Sequence, residues 1–448
     1  MIIKYSAEGE VEWARSVEGS DIDIICSVAE TTDGGYIAGG YFLSNSIQVG
    51  DYTLTNNGES DGVIIKYSAE GEVEWARTVG GSRDDFIESV TQTSDGGFIA
   101  GGYFFSNSIQ VGDYTLTNNG ESDGIIIKYD ASGEVKWVKA IGGSSSDYIN
   151  SIASTSDGGA IVGGYFHSDE IQVGKYKLIS NGYHDGMIIK YNSRGEVEWT
   201  RNLGGDESDY INSIASTSDG GYIVVGYFNS KEIQVGEYIL TNNSQYNDAN
   251  GDYYSAGMII KYDENGEVDW AKAIGGSGSD YINSIASTSD GGAIIGGYFD
   301  SSSIQLGEYT LTNDNSRYTD GMIIKYNAEG KVDWSKGIGG SRSDYIRSVA
   351  ETNDGRVIAG GYFNSSSIEV DEGTLTSNGS YDGMILEIIN KVGVPEVQEL
   401  TVENNRKKFE ITTDVKEING VKGGNISGED LKPYETCLLY TSDAADDK

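Results

Sequence analysis

The chain has 448 residues, 37% of them hydrophobic, with 63 Gly and only 2 Pro. Its 70 acidic residues against 31 basic ones give a formal net charge of -39, which argues against nucleic acid and anionic lipid as partners, since both need a basic patch. Two cysteines, Cys26 and Cys437, are too few for a disulfide framework, and no apolar run reaches the length of a membrane span.

From the N-terminus, the string Ile-Ile-Lys-Tyr at Ile2–Tyr5 returns at Ile64–Tyr67, Ile126–Tyr129, Ile188–Tyr191, Ile259–Tyr262 and Ile323–Tyr326. The repeats therefore run 1–62, 63–124, 125–186, 187–257, 258–321 and 322–383. A period near 60 residues is too long for a β-helix coil and fits one propeller blade carrying an insertion. The six Trp of the chain, Trp13, Trp75, Trp137, Trp199, Trp270 and Trp334, fall at one equivalent position. They are expected to pack between neighbouring blades, because buried aromatics dominate core energetics.

Each unit reads as four short strands. In the third and fourth units strand a is Tyr148–Thr155, strand b Ala160–Phe166, strand c Met187–Tyr191 and strand d Glu196–Leu203. β-branched and aromatic residues dominate them, and helical periodicity is absent. The a–b link Ser-Asp-Gly-Gly supplies the positive φ of a tight turn, and the c–d link ending in Gly195 reads as a four-residue hairpin loop. Between b and c, Ile109 and Val111 face Tyr114 and Leu116 across Gly112-Asp113, a second small hairpin.

Four-stranded sheets of this kind cannot bury both faces alone, so radial packing around an axis is expected: an all-β propeller of six blades, or seven if the reading frame extends upstream. Antiparallel geometry puts the tight turns on one side. The b–c insertions and d–a loops lie on the other, where binding is expected. The d–a loop repeats an acid at Asp23, Asp85, Asp147, Asp209, Asp280 and Asp344. These carboxylates would ring the channel mouth as a site for a cation or polar ligand, or each would fix its own loop by hydrogen bonds. A second repeated acid, including Asp157, Asp219 and Asp290, is read as a turn residue.

The fourth unit carries an insertion, Ser244–Gly257. Asp248, Asn250 and Asp252 have the 1-3-5 spacing of a calcium loop, but Tyr253 and Ile259 replace its Gly and final acid, so calcium is a weak expectation and no other cofactor is expected. Tyr246, Tyr253 and Tyr254 could stack on a sugar. His167 and His184 are the two histidines of the chain. No nucleophile elbow, zinc helix, paired Cys motif or P-loop is found, so no catalytic residue is assigned.

The chain starts in mid-blade, at a Met equivalent to Met187, Met258 and Met322, and no signal peptide opens it. Met1 therefore reads as an internal codon of a longer frame, with signal peptide and anchor outside the segment. Six blades would close by pairing the termini, with Met384–Ile389 competing for the slot that Met1–Tyr5 would fill. Residues 391–436 read as a linker and a partial β-domain. Residues 437–448 resemble a translated sequencing adapter and are set aside with Cys437.

The unit, with its Asp-Gly before Ile-Ile-Lys-Tyr, Gly-Glu-Val before Trp, Ile-Gly-Gly, Asp-Tyr, Ser-Asp-Gly-Gly and Gly-Gly-Tyr-Phe, resembles bacterial β-propeller repeats of the extracellular surface-protein type over Met1 to about Gly383. The segment Glu396–Thr436 resembles the start of a Gram-positive surface β-module. The resemblance implies an extracellular or cell-surface protein, a monomeric propeller within a longer chain. On this reading the chain is a non-catalytic binding, adhesion or display module for a surface glycan or protein. The alternatives are a glycan-active enzyme, a glycosidase or lyase on a propeller scaffold, and a structural spacer.

Overall fold

A computed structural model describes residues 1–6, 10–17, 19–247, 252–313, 317–370, 373–377 and 379–388, and five short strands between Val397 and Ser427; of Tyr246, Asn247, Asp252 and those five strands it gives the backbone alone. The chain folds as an all-β propeller of six blades built from antiparallel sheets. Blade one is Asp23–Glu30, Tyr36–Phe42, Asp61–Tyr67 and Val73–Val79 as strands a to d. Blades two to five repeat that order, with strands a at Asp85–Gln92, Asp147–Ser154, Asp209–Ser216 and Asp280–Ser287. Blade six has three strands, Asp344–Glu351, Val357–Phe363 and Asp382–Ile388. A two-stranded half-blade, Ile2–Tyr5 with Val11–Arg15, stands before blade one.

Turn chemistry sets the blade. Gly158 after Asp157 has φ 81°, and Gly112 in the outer hairpin has φ 58°, values that L side chains rarely adopt. The outer hairpin forms in the expected register, Ile109 opposite Leu116 and Val111 opposite Tyr114. Strand a carries an irregularity of register between Ile149 and Ser151, repeated in every blade, which adds local twist.

Strands a of successive blades lie side by side, and cores form between blades. Val90 of blade two packs onto Gly39 of blade one, and Ile152 of blade three onto Gly101 of blade two. The Trp residues sit as expected. Trp75 lies against Gly133 of the following blade and Trp137 against Gly195, so close that a Cβ would fall 2.8 Å from either ring. The indole N–H of Trp137 donates to the Ser193 carbonyl at 3.1 Å. Trp334 of blade five is only half-buried.

Among the described residues the N-terminal strands do not pair with the last strand of blade six. Ile2–Tyr5 pairs with Val11–Arg15, and Asp382–Ile388 pairs with Val357–Phe363 as strand c of blade six. The reason is visible in the charges. Blades one to five hold a buried Lys on strand c, such as Lys66 and Lys128, against the Asp of the a–b turn. In blade six Glu387 takes the Lys place and Arg356 the place of a turn Gly, and the two bond at 2.7 Å. Asp382–Ile388 is therefore matched to its own blade, and a Lys-bearing strand would lose that pair.

Beyond Ile388, Val397–Glu403 and Arg406–Ile411 pair in a separate three-stranded sheet with Ile426–Ser427. The linker 391–396 and the tail 437–448 lie outside the described residues.

Candidate functional site: the loop-bearing end of the inner strands

Each of the six repeated acids opens strand a, and its carboxylate is taken up by its own loop. Asp147 is fully buried; its Oδ2 accepts from the Gly143 N–H at 2.8 Å and the Ser168 hydroxyl at 2.7 Å, and its Oδ1 from the N–H groups of His167 and Ser168. Asp85, Asp209 and Asp280 take the same donors in their blades, from Gly81 and Ser106, Gly205 and Ser230, and Gly276 and Ser301. Asp344 accepts from Ser365, and Asp23, less buried, from Gly19 and Ser44. The acids lie at the loop-bearing end as expected, turned into their loops rather than toward solvent. Burial pushes Asp85 up to about 6 and Asp209 and Asp280 up to about 7.

The residue after each acid belongs to a feature that spacing alone does not reveal. Tyr148 of strand a faces Tyr165 of strand b in register, with ring centroids 4.8 Å apart and stacked. Tyr148 also meets Tyr103 of the preceding blade edge-on at 4.7 Å, and Tyr165 meets Tyr210 of the following blade edge-on at 4.7 Å. The pattern continues without a break from Tyr41 through Phe86, Tyr103, Tyr148, Tyr165, Tyr210, Tyr227, Tyr281, Tyr298, Tyr345 and Tyr362 to Tyr381. From Tyr41 to Tyr362 rings are stacked or tilted within a blade and edge-to-face between blades, and Tyr381 meets Tyr362 edge-on within blade six.

This aromatic stripe crosses all six blades at the loop-bearing end of the two inner strands. Its members through Tyr362 are half-buried, and Tyr381 is 52% exposed. Ring faces are largely spent on one another, so the stripe offers solvent its ring edges and phenol hydroxyls. Burial first, then the neighbouring phenols, push Tyr165 and Tyr227 above their ordinary values and Tyr298 up to about 12. The hydroxyls of Tyr165, Tyr227 and Tyr298 are therefore neutral donors and acceptors at physiological pH.

Two interruptions give the stripe local character. His167 and His184, 17 positions apart in the sequence, stack at 4.6 Å, and His184 stacks on Tyr210 at 5.3 Å. The His184 ring meets the Ser208 hydroxyl at 3.0 Å. Burial and the neighbouring imidazole hold His184 below its ordinary value. At the other end the Arg347 guanidinium lies over the rings of Tyr298, Tyr345 and Tyr362 at 5.3–5.6 Å and donates to the Tyr362 hydroxyl at 2.7 Å. In the middle blades the same strand position holds Asn150, Asn212 and Asn283. Each amide donates to a carbonyl of the next strand a, Ile211, Ile282 and Ile346, tying the inner strands together.

The fourth-blade insertion forms a two-residue hairpin, with Tyr246 opposite Tyr253. The Tyr253 ring lies under the Lys231 ammonium at 4.7 Å, and the Tyr254 carbonyl accepts from Asn242 and Ser244. The calcium-like spacing falls on Asp248 and Asn250, outside the described residues, and on Asp252, whose side chain is not described. Among the described residues no three His, Cys, Asp or Glu side chains gather as a metal centre. The turn acids do more than turn: Asp95 pairs with buried Lys128 at 2.7 Å, and Asp219 with Lys261 at 2.7 Å.

No family model matches the chain. It is similar to a WD repeat-containing protein of Acanthamoeba polyphaga mimivirus, 23% identical over 86% of this chain and 33% of that protein. It is also similar to the regulatory protein FlaEY of Caulobacter vibrioides, 26% identical over 38% of this chain and 18% of that protein. The chain thus spans a third or less of the length of these curated relatives. Among solved structures, a glucose dehydrogenase matches 84% of this chain and 100% of its own at 9% identity and a TM-score of 0.38. Sqt1 from Chaetomium thermophilum matches 86% of this chain and 93% of its own at 12% identity and a TM-score of 0.37. The strand topology by itself is that of a β-propeller built from tandem repeats.

Proposed function

We propose that the chain is a non-catalytic binding module of an extracellular surface, and that its ligand is a neutral glycan docked along the aromatic stripe. One observation carries this reading: a continuous row of aromatic rings, all but Phe86 bearing a phenol hydroxyl, runs across six similar blades. Such a row suits a hydroxyl-rich, uncharged chain, which can exchange hydrogen bonds with Tyr hydroxyls while laying C–H groups on ring edges. The net charge of -39 disfavours an anionic ligand. The repetition of the same groups in each blade favours a repeating polymer held by several weak contacts in series. Calcium at the fourth-blade insertion and sugar stacking by Tyr246, Tyr253 and Tyr254 are secondary proposals on the same face.

The test is a glycan array followed by titration of the best neutral oligosaccharide into the wild type and the triple variant Y103A/Y165A/Y227A. A loss of affinity of tenfold or more, with the fold retained by circular dichroism, supports the stripe. Unchanged affinity overturns it. Capture of a protein and of no glycan on the same face would turn the module into a protein-docking one.

A further inference from the structure

The first two blade junctions each bring a second aspartate to the first. Asp61 opens strand c of blade one, and the following Asp85 opens strand a of blade two, whose backbone N–H donates to the Ser60 carbonyl at 2.8 Å. Asp123 and Asp147 repeat the arrangement between blades two and three, with Asp147 donating to the Ser122 carbonyl at 2.8 Å. All four side chains are fully buried.

The two members of a pair are unequally provided for. Asp85 and Asp147 have donors on both oxygens. Asp61 and Asp123 accept on Oδ2 only, from the backbone and amide N–H groups of Asn57 and Asn119. Their Oδ1 atoms are buried and have no partner. A glycine covers each pair. A Cβ on Gly142 would fall 2.2 Å from Asp123 Oδ1 and 3.0 Å from Asp147 Oδ2, so both carboxyl groups converge on one small space. Gly80 stands in the same relation to Asp61. This explains why the first Gly of the Ile-Gly-Gly stretch has no side chain.

We propose that the Asp61–Asp85 and Asp123–Asp147 pairs each take up one shared proton as the pH falls below neutral, and that this proton makes blade docking tighten. Two unscreened carboxylates in a dry site cannot both ionise cheaply, and the pair then titrates as a unit. The N–H and O–H donors of the adjoining loops favour the ionised carboxylates, but burial, the larger effect, and the neighbouring carboxylate favour the protonated form. The loops beside the first pair also carry Glu59, Arg83 and Asp84; Asp84 accepts from Ser60, and Arg83 is turned onto Phe105. Around the second pair stand Glu121, which accepts from Ser146, and His167, whose ring meets Ser145. Burial, aided by the neighbouring carboxylate, pushes Asp85 and Asp123 up to about 6. The folded state therefore keeps protons that the unfolded chain releases between about pH 4 and 6, so stability rises as pH falls through that window and is lost as pH rises. At the fourth junction Ala256 replaces the strand-c acid, and Asp280 stands without that partner.

Thermal unfolding of the full chain between pH 8 and pH 5 tests this, with D61N/D123N against the exposed-charge control D113N. Wild type is expected to gain melting temperature on acidification. D61N/D123N should unfold about 2 °C or more higher than wild type at pH 8 and show a flatter pH slope, since an amide donates without needing the proton. D113N should run parallel to wild type. A slope unchanged in D61N/D123N overturns the proposal. So does a rise in wild-type melting temperature at pH 8 on adding millimolar calcium chloride that D61N/D123N lacks, which would make the pair a cation site. Should D61N/D123N fail to fold, A256D supplies the second reading: it should steepen the slope, and an unaltered slope counts against the shared proton.

Discussion

Lys128 is almost fully buried yet charged, and its ammonium is met by Asp95 at 2.7 Å and by the Thr93 hydroxyl. The stem fills the blade interior while the head reaches the turn, the usual way a long cation is accommodated. Removing the acid leaves a buried charge with a weaker set of partners, so D95N should cost about 1–3 kcal/mol in urea unfolding. The turn acids also set an acid limit. In Asp33 burial alone would raise the carboxyl, but hydrogen bonds from Thr31 and Gly35 and the Lys66 charge outweigh it and hold the group at about 2. Asp219 and Asp290 are held at about 2 in the same way by Lys261 and Lys325. A depressed carboxyl contributes stability that is complete above about pH 4 and lost as pH falls toward 2. The buried strand-a acids act in the opposite direction above pH 4, so melting temperature plotted against pH should peak on the acidic side, between about 4 and 6; a maximum at pH 8 would contradict this balance.

Among the elements, the c–d turn is a packing surface as well as a reversal of the chain. Gly133 has φ 78° and lies under the Trp75 ring, whereas Gly96 in an a–b turn has φ 79° and open space around it. The two glycines share a backbone conformation and differ in their neighbours. G96A should cost about 1 kcal/mol, the strain of a positive φ. G133A should cost clearly more, because the added methyl must also push the indole out of its slot. Equal losses in denaturant unfolding would show that the Trp contact contributes little. Arg77 completes the slot: its guanidinium lies 5.6 Å from the Trp75 ring and donates to the Gly133 carbonyl.

At the scale of the whole molecule, strand a of the first blade and strand c of the last each expose an apolar residue that a neighbouring blade covers elsewhere, while the half-blade covers the outer strands of blade one. Val28 of blade one is 47% exposed, while its equivalents Val90 and Ile152 are 4% and 5% exposed. Ile385 of blade six is 47% exposed, while Ile126 is 0% exposed. Stability in such arrays is a sum of blade and junction contributions. V90D, which puts a charge into a junction, should lower stability by several kcal/mol, on the order of 3–5. V28D should change it by less than about 0.5 kcal/mol, as an exposed substitution does. Similar losses for the two would mean that the leading face is covered in solution.

The sequence by itself determined the blade: its four strands, both turn types, the outer hairpin and the Trp slot all follow from local pattern, because turn geometry and period-two burial are properties of neighbouring residues. It also placed the repeated acids at the loop-bearing end. Only the tertiary structure decided what those residues meet. The Tyr of Asp-Tyr and the Tyr of Gly-Gly-Tyr-Phe were visible as repeats, yet their joining into one stripe depends on strand register and on blade-to-blade packing. The pairing of Asp61 with Asp85 depends on the same packing, since one acid belongs to each blade. Likewise the strand chosen for blade six rests on the Arg356–Glu387 pair, a contact between residues 31 positions apart that becomes legible only once the two strands lie side by side.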